Sequence, residues 1–230
     1  MKITAFALLV VALAAGPAAA QQKETETVDR TVAFSRGGTL KLTNFSGEVR
    51  VTGTPGNDVI IHAVRKATRE RLDNITLDIV VNGSTVEVEA NRRNPAWREK
   101  NDNVVETQFE IQVPAATRLD LHTFSGNVIV RDTTEEVNAN TFSGSVDLDI
   151  ARASAAPALK VETFSGDITT RMPAGSSGRV EFHSFSGDLR SDLPLLLHNQ
   201  SRRNVSADFG SGGGATLDFK TFSGDLKIVQ

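Results

Sequence analysis

The chain runs to 230 residues with a formal net charge of −3, a pI near 5.8 and no cysteine. That balance gives no electrostatic case for nucleic acid or anionic lipid, and it removes disulfides and thiolate zinc sites from consideration. The histidines, His62, His122, His183 and His198, are scattered without metal-ligand spacing.

In chain order, residues 1–20 carry Lys2, an apolar run from Ala5 to Gly16 and then Ala18-Ala19-Ala20. This is the pattern of a secretory signal peptide, and the apolar run is too short for a span of roughly 20 residues. The expected mature protein begins near Gln21 and resides in the periplasm or outside the cell, with no transmembrane segment once the signal is cleaved. Residues 23–34 are polar and then alternating, which predicts a strand, and Leu40–Val51 follows as two short alternating arms. Asp58–Val64 reads as a strand and Ala67–Leu72 as a helical turn. Ile75–Val81 and Val86–Ala90 flank Asn82-Gly83, the signature of a hairpin. Residues 91–103 hold the only tryptophan, Trp97, in a polar stretch expected to be an exposed loop, and Val104–Val113 predicts another strand.

From here a repeat governs the sequence. Phe-Ser-Gly occurs six times, at Phe45-Ser46-Gly47, Phe124-Ser125-Gly126, Phe142-Ser143-Gly144, Phe164-Ser165-Gly166, Phe185-Ser186-Gly187 and Phe222-Ser223-Gly224. The second, third, fourth and fifth copies are separated by 18, 22 and 21 residues, and the last interval of 37 carries Leu193–Leu197, a polar run and the glycine-rich Gly210–Gly214. Apolar residues sit five and three positions before each Phe, as in Leu119/Leu121 and Leu217/Phe219, and four after it, as in Val128 and Leu226. Period-two alternation on both arms means half-buried strands, with Ser-Gly as the turn between them. The resulting division is a signal peptide at 1–20, a β segment at 21–114 holding the first unit and an antiparallel insertion or cap, and a repeat domain at 115–230.

Two all-β architectures satisfy this pattern. One is a parallel β-solenoid in which the motif is a corner and like residues stack at about 4.8 Å; the other is an antiparallel meander of hairpins. The solenoid is favoured because a hairpin loop has no need of Phe, whereas a stacked corner rewards the same residue in every coil. In that reading Asp167 and Asp188 are neighbours, Phe222 ends the ladder, and an interior Phe such as Phe164 is buried, so that truncation costs about 3 to 5 kcal/mol.

The units, and above all Gly213-Gly214-Ala215-Thr-Leu217-Asp-Phe219-Lys-Thr221-Phe-Ser223-Gly224-Asp225, resemble the bacterial "putative adhesin" β-strand-repeat family, a secreted domain of unknown function. The resemblance covers roughly 35–52 and 115–230. It implies a right-handed β-helix-like fold on secreted or envelope proteins, and it brings no catalytic residues with it. The Phe before each Ser-Gly and the long segment after the first unit depart from the family pattern.

No nucleophile elbow, His-Glu-x-x-His or phosphate loop occurs, so neither an enzyme nor a cofactor is expected. Asp167, Asp188 and Asp225 follow the motif glycine, where stacking invites a cation such as Ca²⁺, although an aspartate there also caps a turn. The expected function is non-enzymatic and adhesin-like, with an envelope glycan, wall polymer or protein as partner. The alternatives are a regulatory partner in envelope-stress sensing and, on fold analogy alone, a polysaccharide-acting enzyme using Glu162, Asp167 and Asp188.

Overall fold

A computed structural model describes residues 22–34, 36–97, 103–150, 153–201 and 203–230. The signal peptide expected at 1–20 lies outside the described residues. The N-terminal segment forms β1 (Glu24–Ala33), β2 (Thr39–Ser46), β3 (Val49–Thr54), β4 (Asp58–Ala67), the short helix α1 (Arg69–Asn74), β5 (Ile75–Asn82), β6 (Thr85–Arg93) and β7 (Glu106–Pro114). The repeats form β8 (Arg118–Ser125) with β9 (Val128–Arg131), β10 (Val137–Ser143) with β11 (Val146–Asp149), β12 (Leu159–Ser165) with β13 (Ile168–Arg171), and β14 (Gly178–Ser186) with β15 (Leu189–Ser191). Then come β16 (Leu195–Gln200), β17 (Asn204–Phe209), and the last repeat, β18 (Ala215–Ser223) with β19 (Leu226–Val229).

Each repeat places its first arm in one sheet and its second arm in another, with Ser-Gly at the corner. The nine-stranded sheet has the order β1-β4-β7-β3-β9-β11-β13-β19-β15, and the ten-stranded sheet β16-β17-β14-β18-β12-β10-β8-β2-β6-β5. All repeat strands pair in parallel with the motifs in register, Ser46 beside Ser125, Ser125 beside Ser143 and Ser143 beside Ser165. The parallel pairing selects the solenoid over the meander. The rows read from the sequence form the core: Leu40, Leu42, Leu119, Leu121, Val137, Ala139, Leu159, Val161, Val180, Phe182, Leu217 and Phe219 are buried on one sheet, and Val49, Val128, Val146, Ile168 and Leu226 on the other. A fully buried aliphatic or phenylalanine side chain contributes about 1.5 to 3 kcal/mol, so these stacked rows hold the coils together without a disulfide.

The order of the coils differs from the order of the sequence. β18 lies between β12 and β14, and β19 between β13 and β15. The chain lays down the fifth copy one coil-width away, turns back through the β16–β17 hairpin, and fills the gap with the sixth. Phe222 is therefore interior and Phe185 terminal, and Asp225 separates Asp167 from Asp188. A stack built in simple sequence order would give the opposite on all three points.

The segment between the first two copies contributes both coil and cap. β6 continues the ten-stranded sheet in parallel beside β2, and β7 continues the nine-stranded sheet beside β3. Within the N-terminal part, among the described residues, antiparallel pairing is confined to β1 with β4, β4 with β7, and β5 with β6. The β5–β6 loop is Gly83-Ser84 with Gly83 at φ +60°, one residue on from an Asn-Gly centre, because Asn82 pairs with Thr85. Trp97 is half-buried and packs on a small second core of Ala67, Leu72, Ile75 and Val105, its indole N–H donating to Glu70. The expected exposed loop at 91–103 is thus anchored at its tryptophan, and residues 98–102 lie outside the described set.

Candidate functional site: an exposed phenylalanine ridge

The alternation that buries Leu119 and Leu121 also buries the residue before each Phe. Asn44, Thr123, Thr141, Thr163, Thr221 and Ser184 form an inward polar row, and each following Phe points outward. Several of the inward groups reach the corner backbone: the Thr163 hydroxyl donates to the Gly144 carbonyl at 3.3 Å, and the Asn44 amide to the Thr107 carbonyl at 2.9 Å.

The corner itself explains the invariable glycine. A β-carbon added at Gly144 would lie 2.2 Å from the Gly126 carbonyl oxygen, at Gly166 2.1 Å from that of Gly144, and at Gly187 1.9 Å from that of Gly224. Close approach of backbone to backbone, coil after coil, leaves no room for any side chain. Positive φ, the reason read from the sequence, applies at Gly47, Gly126, Gly144 and Gly166 and is absent at Gly187 and Gly224.

With the corners locked at strand spacing, the six rings stack. Centroids are 4.8 to 5.0 Å apart and planes differ by 0 to 18°, in the order Phe45, Phe124, Phe142, Phe164, Phe222, Phe185. Each ring nevertheless stays 41 to 52% exposed. In a corner ladder stacking and burial are expected together. The structure separates them, since the Phe lies on the face opposite the apolar rows and its ring neighbours among the described residues are other motif phenylalanines. The faces cover one another while the edges stand free. Of the two end faces, that of Phe185 is covered by the Arg203 guanidinium, 4.4 Å from the ring centroid.

A polar row runs beside the ridge, made of the residues two before each Phe. In spatial order it is Thr43, His122, Asn140, Glu162, Lys220 and His183. Its members are largely paired: His122 with Asp120 at 3.0 Å, Lys220 with Glu162 at 3.2 Å and Asp218 at 3.4 Å, and His183 with Asn204 at 2.9 Å. The Lys220 ammonium is held above the usual lysine range, first by its hydrogen bond to Glu162 and then by the nearby charge of Asp218. Between ridge and row lie two shallow grooves. One of about 410 Å³ is lined by Phe45, Phe124, His122 and Asn140, and one of about 470 Å³ by Phe164, Phe222, Phe185, Glu162, Lys220 and Arg203.

The aspartates after the motif glycine have a structural occupation. Asp167 accepts from the Asp225 backbone N–H at 2.9 Å, and Asp225 accepts from that of Asp188 at 2.9 Å. Asn127 does the same for Ser145 at 3.0 Å. Each side chain caps the corner of the next coil, a cross-coil version of the turn capping open to Asp and Asn. Glu162 belongs to the ridge face and is salt-bridged to Lys220, and Asp167 caps its neighbouring corner, so these two carboxylates are separately engaged; Asp188, at the end of the row, borders the cleft beside β15. The stacking of the rings was legible in the repeated Phe; their exposure was not. The grooves and the part of Arg203 were not, because they depend on which coils become neighbours.

No curated protein matches the chain. A "putative cell adhesion protein" from Clostridium sporogenes shares its fold over 89% of its length and is itself covered completely, at 14% identity with a TM-score of 0.63; a "putative adhesin" from Bacteroides fragilis aligns with 89% of the chain and is covered to 97%, at 13% identity with a TM-score of 0.38. At such identities the likeness speaks to fold alone. The family profile described as Toastrack DUF4097 matches residues 38–229, taking in every Phe-Ser-Gly corner and the segment between the first two copies. With the match running from the first coil to the last strand, the chain belongs to the Toastrack DUF4097 family.

Proposed function

We propose that the protein is a non-enzymatic, adhesin-like component of the cell envelope or its exterior, and that the phenylalanine ridge is the surface on which it holds a partner protein. The observation that carries this reading is the exposure of six stacked rings in a single line about 24 Å long, five steps of 4.8 to 5.0 Å. Contiguous apolar surface rimmed by polar groups marks an interaction site. The signal-like sequence at 1–20 and the adhesin descriptions of the structural neighbours support the compartment and the role.

Among the partners open to such a protein, ring orientation favours protein over glycan. A sugar stacks on an aromatic face, and here the interior faces are occupied by neighbouring rings. What the ridge offers is a row of ring edges, with their slight positive charge, beside paired polar side chains. That suits aliphatic side chains and carbonyl oxygens of another polypeptide. The test is the triple variant Phe142→Ser, Phe164→Ser and Phe222→Ser, compared with the unaltered protein for binding to envelope fractions. Binding is expected to fall at least about tenfold, as for loss of a hot-spot cluster, and to vanish when the fraction is treated with protease but survive glycan oxidation. Unchanged binding by the triple variant overturns the ridge, and loss on glycan oxidation alone overturns the choice of protein.

A further inference from the structure

The two ends of the solenoid are finished differently. At the N-terminal end the last strands are β1 and β5, and β1 carries Glu24, Glu26, Asp29 and Arg30 along its length. Charge on an edge strand is a common guard against further pairing. At the other end β16 is the outermost strand of its sheet, and its sequence, Leu195-Leu-Leu-His-Asn-Gln200, contains no Lys, Arg, Asp or Glu. Leu196 is 68% exposed and Leu197 49%.

This end is also stepped. β14 and β15 belong to one coil, but β17 and β16 extend the ten-stranded sheet two strands further, with no described strand opposite them in the nine-stranded sheet. Beneath the overhang lies a cleft of about 730 Å³, lined on one side by Leu189, Arg190 and Ser191 of β15 and on the other by Leu195, Leu197 and Val205. The Asp188 carbonyl accepts from Leu226 and the Asp192 N–H donates to Ile228. By the alternation of a parallel ladder, the N–H and C=O of Leu189 and Ser191 therefore turn to the open side.

We propose that this stepped end binds a second copy of the same chain in a two-fold lap joint, the β16–β17 overhang of each copy entering the notch of the other. The notch and the overhang are each two strands deep, so one shape completes the other. A two-fold axis along the strands exchanges the layers and keeps strand direction. The chain reverses between β14 and β15, and β16 runs with β14, so β15 meets the partner's β16 antiparallel, the geometry in which an edge pair exchanges hydrogen bonds directly. The available lengths agree: β15 is Leu189–Ser191, and a bulge at His198 limits β16 to Leu195–Leu197. Facing agrees as well. Leu189, Leu195 and Leu197 line the cleft and Leu196 does not, while the Arg190 side chain, at the alternate position of β15, is exposed at the cleft's border and reaches Asp225 at 3.5 Å, so the leucines meet inside and Arg190 and Leu196 fall side by side at the rim. A joint between two β15 edges in one layer would instead drive the overhangs into each other. A head-to-tail joint would set a one-strand overhang, the charged β1, into a two-strand notch.

Sedimentation and cysteine cross-linking test the joint. The protein is expected at twice the mass of one chain, and the double variant Leu196→Glu and Leu197→Glu at the mass of one, with an unchanged circular dichroism spectrum. Because the chain has no cysteine, Arg190→Cys and Leu196→Cys can be prepared separately and oxidised together. The mixture is expected to give a disulfide-linked pair of one of each, and neither variant alone to give more than a trace. A monomer at tens of micromolar, a dimer that survives the double glutamate variant, or linkage within Arg190→Cys alone overturns the proposal. So does a dimer broken by the ridge triple variant with the leucines intact, which would place the joint at the phenylalanines. Should the double glutamate variant fail to fold, the cross-linking mixture decides.

Discussion

The interior coils and the two ends of this solenoid follow different rules. Inside, each coil is flanked on both sides by a near-copy of itself, so one local solution serves every time: a buried apolar pair, an inward Thr, an outward Phe and a glycine that admits the neighbouring backbone. At the ends there is no next copy, and the chain uses hairpins, charged edges and a second small core. The regular part is therefore highly constrained per residue, and the ends are where variation and contact with other molecules can be accommodated. The last repeat belongs to the interior in this sense, since β18 and β19 have a neighbour on each side although they hold the C-terminus.

The largest expected effect tests that assignment. Ending the chain at residue 214 removes a coil from the middle of the stack and strips β12 and β14 of a shared partner, so the truncated protein should show no cooperative urea transition. Deleting residues 22–34 takes away only β1, an edge strand that is mostly exposed, and should leave a cooperative transition with a lower midpoint. If the first truncation folds cooperatively, the sixth copy is not an interior coil.

Next in size is the corner glycine. Gly166→Ala sets a β-carbon 2.1 Å from a backbone carbonyl that cannot move without parting two coils, and a loss of at least about 3 kcal/mol is expected from urea denaturation. Gly83→Ala in the β5–β6 loop meets nothing within 4 Å. It bears only the strain of positive φ, a cost of about 1 to 2 kcal/mol. Equal losses at the two sites would erase the distinction between interior and end.

The ridge comes third. Phe164 stacks on two rings, Phe185 on one ring and a guanidinium. Since each ring is half exposed, truncation leaves no sealed cavity. Aromatic pairs contribute about 0.5 to 1.5 kcal/mol each beyond their area, so Phe164→Ala should cost about 2 kcal/mol and Phe185→Ala about 1, measured by urea denaturation. A cost at Phe164 in the range of a core phenylalanine would mean that the ridge is covered in solution.

What the sequence disclosed, and what it withheld, divides along the same line. The rows Leu119/Leu121 and Val128, the corner at Ser125-Gly126 and the outline of a solenoid were readable because period-two alternation and repetition are local signals. The position of the sixth coil was not readable, because Phe222 looks the same whether it ends the stack or completes its middle. Nor was the exposure of the Phe, since a residue that recurs for stacking and one that recurs for burial leave the same mark. The use of Asp167 and Asp225 as cross-coil caps required knowing which coil lies next to which. The segment at 85–114 hid its place in the solenoid because β6 and β7 keep the strand pattern and lack the motif.

The smallest effect concerns the hairpin at the open end. Asp208 on β17 ties that hairpin to the coil: it accepts from Arg179 of β14 at 3.0 Å and lies 2.7 Å from His198 of β16. Its carboxyl is held below the ordinary carboxylate range, chiefly by the hydrogen bond from Arg179 and next by that with His198. A group with a lowered folded pKa stabilises above its unfolded value, near 3.9 for aspartate, and that contribution is lost as pH falls through the lowered folded value. Residues 195–209 should therefore exchange amide hydrogens a few-fold faster in Asp208→Asn than in the unaltered protein at pH 6, and the difference should close well below pH 4. The interior strands β10 and β12, which have no such anchor to lose, should exchange alike in both proteins at either pH. A difference that persists unchanged at low pH would show that Asp208 holds the hairpin by shape and hydrogen bonding alone, with its charge playing no part.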